Sequence, residues 1–247
     1  MAPCRSQLIR SSALRLFSFL LTTTRLISAS HHALTLILRQ PQRLLLHIGH
    51  SALFAWPILT LIGIALGISV VHQLHYQFGN AIDTTLKWLA YLMLFELAPL
   101  FSSLLLLARN GVACANQFAP YQLNSDNEIK LASLIGVRQL AYALSGCGLA
   151  IYLAVASLIA GIVYAKPRYL LTEWQQLLGQ LPLSLWLSLP CKTVVFCSVI
   201  TWCCCLAGLF SSRRRHASLA TSRAVFSSLT VIFLFDGLWA VFWPLNA

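Results

Sequence analysis

Long apolar stretches alternate with short polar ones along this chain. Residues 51–71 carry no charge and lead into a polar connection, residues 72–87. Residues 88–108 are apolar apart from Glu96 and a proline, Pro99. Residues 139–165 are again uncharged, and a mixed loop, residues 166–179, follows. Residues 183–210 are interrupted by Pro190 and Lys192, and residues 219–243 hold Arg223 near the start and Asp236 near the end. About 20 apolar residues in helix cross a hydrocarbon core of about 30 Å. The pattern predicts an all-α integral membrane protein with five transmembrane helices.

The first 50 residues differ in kind. Arg5, Arg10, Arg15, Arg25, Arg39 and Arg43 occur there without any acid. A secretory leader around residues 8–30 fits poorly, because arginines interrupt the apolar run and no compact apolar core precedes a small-residue cleavage site. Pro41 suits the first turn of a helix. At helical spacing Arg39, Arg43, His47 and His50 share one face, and Ile37, Leu44, Leu45 and Ile48 the other. That pattern predicts an amphipathic helix lying in the membrane interface. The expected organisation is therefore a basic N-terminal segment, 1–50, and a transmembrane domain, 51–247.

Five crossings put the termini on opposite sides. The N-terminal arginines, Arg109, Lys130, Arg138, Arg213, Arg214, Arg215 and Arg223 fall on one side, and only Lys87, Lys166 and Arg168 on the other. The positive-inside rule then predicts a cytoplasmic N-terminus and an external C-terminus.

Composition supports the bilayer as solvent. The chain is 58% hydrophobic and 9% charged, where soluble domains carry about 25% charged residues. Its net charge of +11 sits beside apolar spans, a pattern for anionic lipid rather than nucleic acid. No GxxxxGK[ST] loop is present, so any ATP must be bound by another chain. The eight cysteines match no zinc or disulfide spacing. Cys203, Cys204 and Cys205 fan out over about 200° of a helix and cannot share one metal. No metal or cofactor is expected, and the cysteines read as small apolar side chains in packed helices.

One polar island lies between the second and third spans, NSDNEIKLASLIGV, residues 124–137. Ser125 and Glu128 fit a capping box, with Asn127 between them. Ile129, Ala132 and Ile135 recur on one face, and Gly136 suits a left-handed helix end. Two readings stand: a helix docking on a cytoplasmic partner, or a loop helix packed back on the membrane domain.

Glu96, Lys192 and Asp236 are the ionisable groups inside spans. Such groups face a cavity or a partner. With Pro99 freeing a carbonyl one turn earlier, Glu96 suggests a bent helix lining a polar space. The alternative is an ion pair of Lys192 with Asp236 or Glu96 that only fixes helix packing. No HExxH, no GxSxG and no close acid pair supports catalysis.

Four motifs in order make the chain recognisable. FELAPLFSSLLLLARNG (residues 95–111), NEIKLASLIGV (127–137), KTVVFCSVITW (192–202) and SLATSRAVFSSLTVIFLFD (218–236) resemble the matching segments of MlaE-type permeases, from the MCE-associated ABC lipid transporters. The resemblance covers roughly residues 44–243. It implies a homodimeric permease in a bacterial inner membrane, with a periplasmic C-terminus, working by alternating access. A cytoplasmic ABC ATPase subunit would grip a coupling helix carrying Ser125, Asn127, Glu128, Ile129, Ala132, Ile135 and Gly136. A periplasmic MCE-domain protein would exchange phospholipid or a related lipid with the dimer. Glu96, Pro99 and Arg109 would lie on the substrate path, with Lys192, Arg223 and Asp236 as intramembrane charges. The chain departs from the family at Phe95, where Arg is usual, at Ala98 and Ala119 for Gly, and at Gln117 for Glu. Asn127 replaces an acid and Leu219 an Arg. The change at Phe95 takes from Glu96 its local partner. A divergent, non-transporting scaffold is the second reading, and a membrane-bound lipid-modifying enzyme the third.

Overall fold

The computed structural model describes residues 48–49, 55–78, 82–118, 128–166, 168–210 and 217–242. The interfacial helix expected around Pro41 lies outside them, apart from Ile48 and Gly49. The described residues form helices and connections, with no strand among them. The helices are α1 (Trp56–Phe78), α2 (Ile82–Leu92), α3 (Ala98–Phe118), α4 (Glu128–Ala165), α5 (Leu170–Gln180), α6 (Leu183–Phe210) and α7 (Ala217–Phe242). A single π-helical turn, Met93–Leu97, joins α2 to α3. Five stretches are long and apolar enough to cross a membrane: Trp56–Gln77, Thr84–Gly111, Leu134–Ala165, Leu183–Gly208 and Ala224–Val241. The protein is an all-α, multi-pass membrane protein.

Four expectations about the connections need correction. Residues 72–87 are mostly helix, because α1 runs on to Phe78 and α2 begins at Ile82. The supposed loop at 166–179 is largely α5, an amphipathic helix of 11 residues. At about 1.5 Å per residue α5 is too short to span. It buries Leu177, exposes Leu171 and Leu178, and is tied back by Lys166 Nζ donating to Glu173 Oε1 at 2.6 Å. Pro190 does not break the fourth span, since α6 continues through it. Gly136 does not end a docking helix either. The helix that starts at Glu128 runs through Gly136 into the third span, 38 residues in all. A glycine ends a helix only when the following chain turns away; here apolar residues follow at once, and burial favours continuation.

The packing is one of glycines and small side chains. α4 contacts α1, α3 and α6, while α3 and α6 pack on each other and on α7. Gly63 and Gly67, a GxxxG pair, bring α1 onto α4. A Cβ added at Gly67 would lie 2.2 Å from Ser157 O, and one at Gly161 2.4 Å from Leu89 Cδ2. Small residues permit this close approach, where van der Waals packing, rather than the hydrophobic effect, holds membrane helices together. Gly146 plays the same part toward Cys197 on α6, whereas Gly148 faces open space. Two apolar clusters result. One joins Leu59, Leu89, Met93, Leu153 and Leu185, and the other Leu107, Ile135, Phe196, Ile200 and Ile232. The first and fifth spans leave most of their side chains exposed, and these outward faces are apolar (Leu61, Phe226, Val241).

Candidate functional site

The site begins with a proline. Pro99 has no N–H, so the ordinary helical bond to the Phe95 carbonyl cannot form. The chain answers with the wide turn at Met93–Leu97, in which Ala98 N–H reaches Met93 O. Single π turns inside helices are frequent at functional sites. The carbonyl left over is taken by a side chain: Lys192 Nζ donates to Phe95 O at 3.0 Å.

Lys192 is the centre of the arrangement. Its side chain is fully buried, at 0% exposure. Nζ also donates to Glu96 Oε2 at 2.9 Å and lies 2.6 Å from Asp236 Oδ1. The Asp236 contact is a close ion pair without hydrogen-bond alignment. The ammonium stands 4.9 Å from the Phe95 ring centroid and 5.7 Å from that of Phe196. Both distances are within the range of cation–π attraction. One cation from α6 is thus held by two carboxylates, a carbonyl and two rings, drawn from the π turn, α6 itself and α7.

An unpaired buried ammonium would cost several kcal/mol, and a paired one is held only if its protons are satisfied. Two of its protons are taken by the Phe95 carbonyl and Glu96, and the Asp236 carboxylate balances the charge at short range. The carboxylates are less hidden: the Glu96 side chain is 34% exposed and that of Asp236 21%. With all three groups ionised the cluster carries one net negative charge. What the cluster exposes lies on its two acidic side chains, although Asp236 Oδ1 itself is buried.

The expected alternatives of a pair with Asp236 or with Glu96 are both realised, in one triad. Phe95 removes a family arginine, yet Glu96 is not left without a partner, since Lys192 reaches it from α6. Pro99 is buried beside the triad in sequence, and Arg109 is half-buried three turns along α3. Arg223 lies on α7, outside the residues whose side chains are described.

The polar island divides. Ser125 and Asn127 lie outside the described residues. Glu128, Ile129 and Ala132 are on α4, with side chains likewise undescribed. Ile135, expected on the docking face, is 2% exposed and packs in the apolar cluster with Leu107 and Phe196. It is therefore a core residue. The helical repeat carries it inward because α4 has already entered the domain at that point.

Two features escaped the sequence reading. The GxxxG pair at Gly63 and Gly67 was legible as a motif and marks the α1–α4 contact. Cys114 and Cys205 meet with sulfurs 3.5 Å apart, and their separation in sequence gave no signal of it. No group of three or more potential metal ligands occurs among the described residues.

The family model described as Permease MlaE matches residues 44–242. No curated protein matches the chain.

Proposed function

The chain belongs to the MlaE permease family, and from that premise we propose that it is the membrane subunit of an ABC transporter moving phospholipid, or a related lipid, across a bacterial inner membrane. Membership makes it a transporter permease rather than a catalyst. In the proposed assembly two copies pair, a cytoplasmic ATPase drives them, and an MCE-domain carrier exchanges lipid outside. The N-terminus and the start of α4 are cytoplasmic and the C-terminus periplasmic, as the distribution of arginines favours. Residues 51–247 form the permease domain, and the first 50 a basic interfacial segment.

The observation that carries this reading is the Lys192 triad. Charges are expensive within a span and are kept where they line a polar path or couple moving parts. Here the cation is locked away, while the Glu96 and Asp236 side chains stay partly exposed within the span. The π turn gives the same stretch a bend that a regular helix lacks.

Continuity of α4 supplies a route for force. The residues from Glu128 to Ser133 precede the third span on the same helix. At about 1.5 Å per residue they project roughly 9 Å beyond it. A push on that projection is a push on the span itself.

The test is transfer of labelled phospholipid in vesicles holding the permease, its ATPase and its carrier. Glu96→Ala should abolish transfer while the complex still assembles. Undiminished transfer by Glu96→Ala would overturn the path assignment. ATP-independent assembly without any lipid transfer by the wild-type chain would favour the scaffold reading.

A further inference from the structure

Beyond the triad, α3 and α6 meet again near the opposite end. Cys114 Sγ and Cys205 Sγ are 3.5 Å apart, and both residues are fully buried. Neither is in a disulfide. The helices are close here because Gly111 sits one turn before Cys114. A Cβ at Gly111 would lie 3.3 Å from Cys204 Sγ. A disulfide bond is about 2.0 Å long, so closing this gap asks for about 1.5 Å of side-chain movement.

The surroundings favour a reactive sulfur. Cys114 lies beyond the second span, which ends at Gly111. Its pKa is lowered to about 7, first by the hydrogen bond from Cys205 and then, against burial, by the Arg138 guanidinium. Arg138 is itself buried, at 9% exposure. A thiolate held by a neighbouring thiol and a cation is the nucleophilic form of cysteine.

We propose that Cys114 and Cys205 form an oxidative modification site, a dithiol that hydrogen peroxide converts into a disulfide linking α3 to α6. Cys114 sulfur attacks the peroxide, an S–O bond forms as the O–O bond breaks, and one water leaves. The Cys205 thiol then attacks the sulfenic sulfur. The S–S bond forms, the S–O bond breaks and a second water leaves. Two thiols lose two electrons, and the peroxide gains them. The link joins two of the three segments that hold the triad, since Glu96 lies in the turn that leads into α3 and Lys192 lies on α6. It fixes their spacing at one end and opposes any rearrangement that needs them to separate. This chemistry does not depend on the transport reading.

The test uses the full chain in lipid nanodiscs, treated with hydrogen peroxide, alkylated and digested without reduction. Mass spectrometry should find Cys114 joined to Cys205, with loss of both free thiols and release of the link by dithiothreitol. In Cys205→Ser the link should vanish and Cys114 should be trapped by dimedone as sulfenic acid. Glutathione added to the same buffer reports the dose. Oxidation of that glutathione with Cys114 and Cys205 still reduced would overturn the proposal. So would linkage of Cys114 to other cysteines as abundantly as to Cys205.

Discussion

Lys192 Nζ stands 2.6 Å from Asp236 Oδ1, and this contact fastens α7 to the centre of the protein. The same ammonium holds Glu96 at 2.9 Å, so substitutions at Lys192 and at Asp236 should differ in cost. Lys192→Met leaves two carboxylates facing each other without their cation. Removing one partner of a buried pair costs about 3–5 kcal/mol. Asp236→Asn leaves a neutral Lys192–Glu96 pair and should cost less, because the lost contact is an ion pair without hydrogen-bond alignment and Glu96 still holds the ammonium. Thermal unfolding in detergent should rank Lys192→Met well below Asp236→Asn. Equal midpoints would mean that the ammonium does not organise the triad.

The α1–α4 contact gives a second comparison. Gly67→Ala would put a Cβ 2.2 Å from the Ser157 carbonyl, a backbone atom that cannot swing aside. Gly148→Ala on α4 meets nothing within 4 Å. Overpacking costs about 1–3 kcal/mol, whereas alanine in an open helical position is neutral or favourable by up to about 1 kcal/mol. Gly67→Ala should therefore lower the unfolding midpoint, and Gly148→Ala should not. A Gly67→Ala protein as stable as wild type would show that α1 stands off from α4.

How much of this was readable follows from the physics of each signal. The five crossings were legible, because hydrocarbon length and the scarcity of charge leave little choice. Connections were not. Residues 72–78 are polar enough to look like a loop, yet α1 continues through them. Residues 170–180 alternate like an amphipathic helix but were judged by their mixed polarity. Gly136 has the composition of a helix stop, and only its apolar successors reveal a helix that goes on. At the site, sequence supplied the three charged residues and their two possible pairings. It could not show that one lysine serves both acids, because that depends on three segments meeting. Phe95 looked like a loss for Glu96; the partner arrives from α6, 96 positions away. The cysteine pair is a contact of the same long-range kind.

The start of α4 separates docking from folding. Glu128 precedes the third span, while Ile135 is buried within the domain. Glu128→Lys reverses a charge at the positive end of a helix, an effect of about 0.3–1 kcal/mol on the chain itself. It should leave the isolated permease folded and weaken co-purification of the ATPase. Ile135→Asp buries a carboxylate in an apolar cluster and should destabilise the permease outright. Pull-down yield and unfolding midpoint, measured on both variants, read the two effects apart. ATPase recovery unchanged by Glu128→Lys would remove α4 as the coupling element.

Reactivity of Cys114 should follow its thiolate. Its pKa is lowered to about 7 by Cys205 and, against burial, by Arg138. The reactive fraction grows as pH rises through that value and then levels off. Between about pH 6 and pH 8 the fraction should climb roughly tenfold and then saturate, whereas a free cysteine with a pKa near 8.5 would still be rising steeply. Initial rates of peroxide-driven Cys114 oxidation, followed in buffers across this range, give the curve. Arg138→Gln removes the cation that favours the thiolate, so its curve should move to higher pH, and Cys205→Ala should move it too by removing the hydrogen bond. The shift in Cys205→Ala should be the larger, because the Cys205 bond contributes more than the guanidinium. Curves for wild type and both variants that coincide with that of glutathione in the same buffers would show that Cys114 has no special environment.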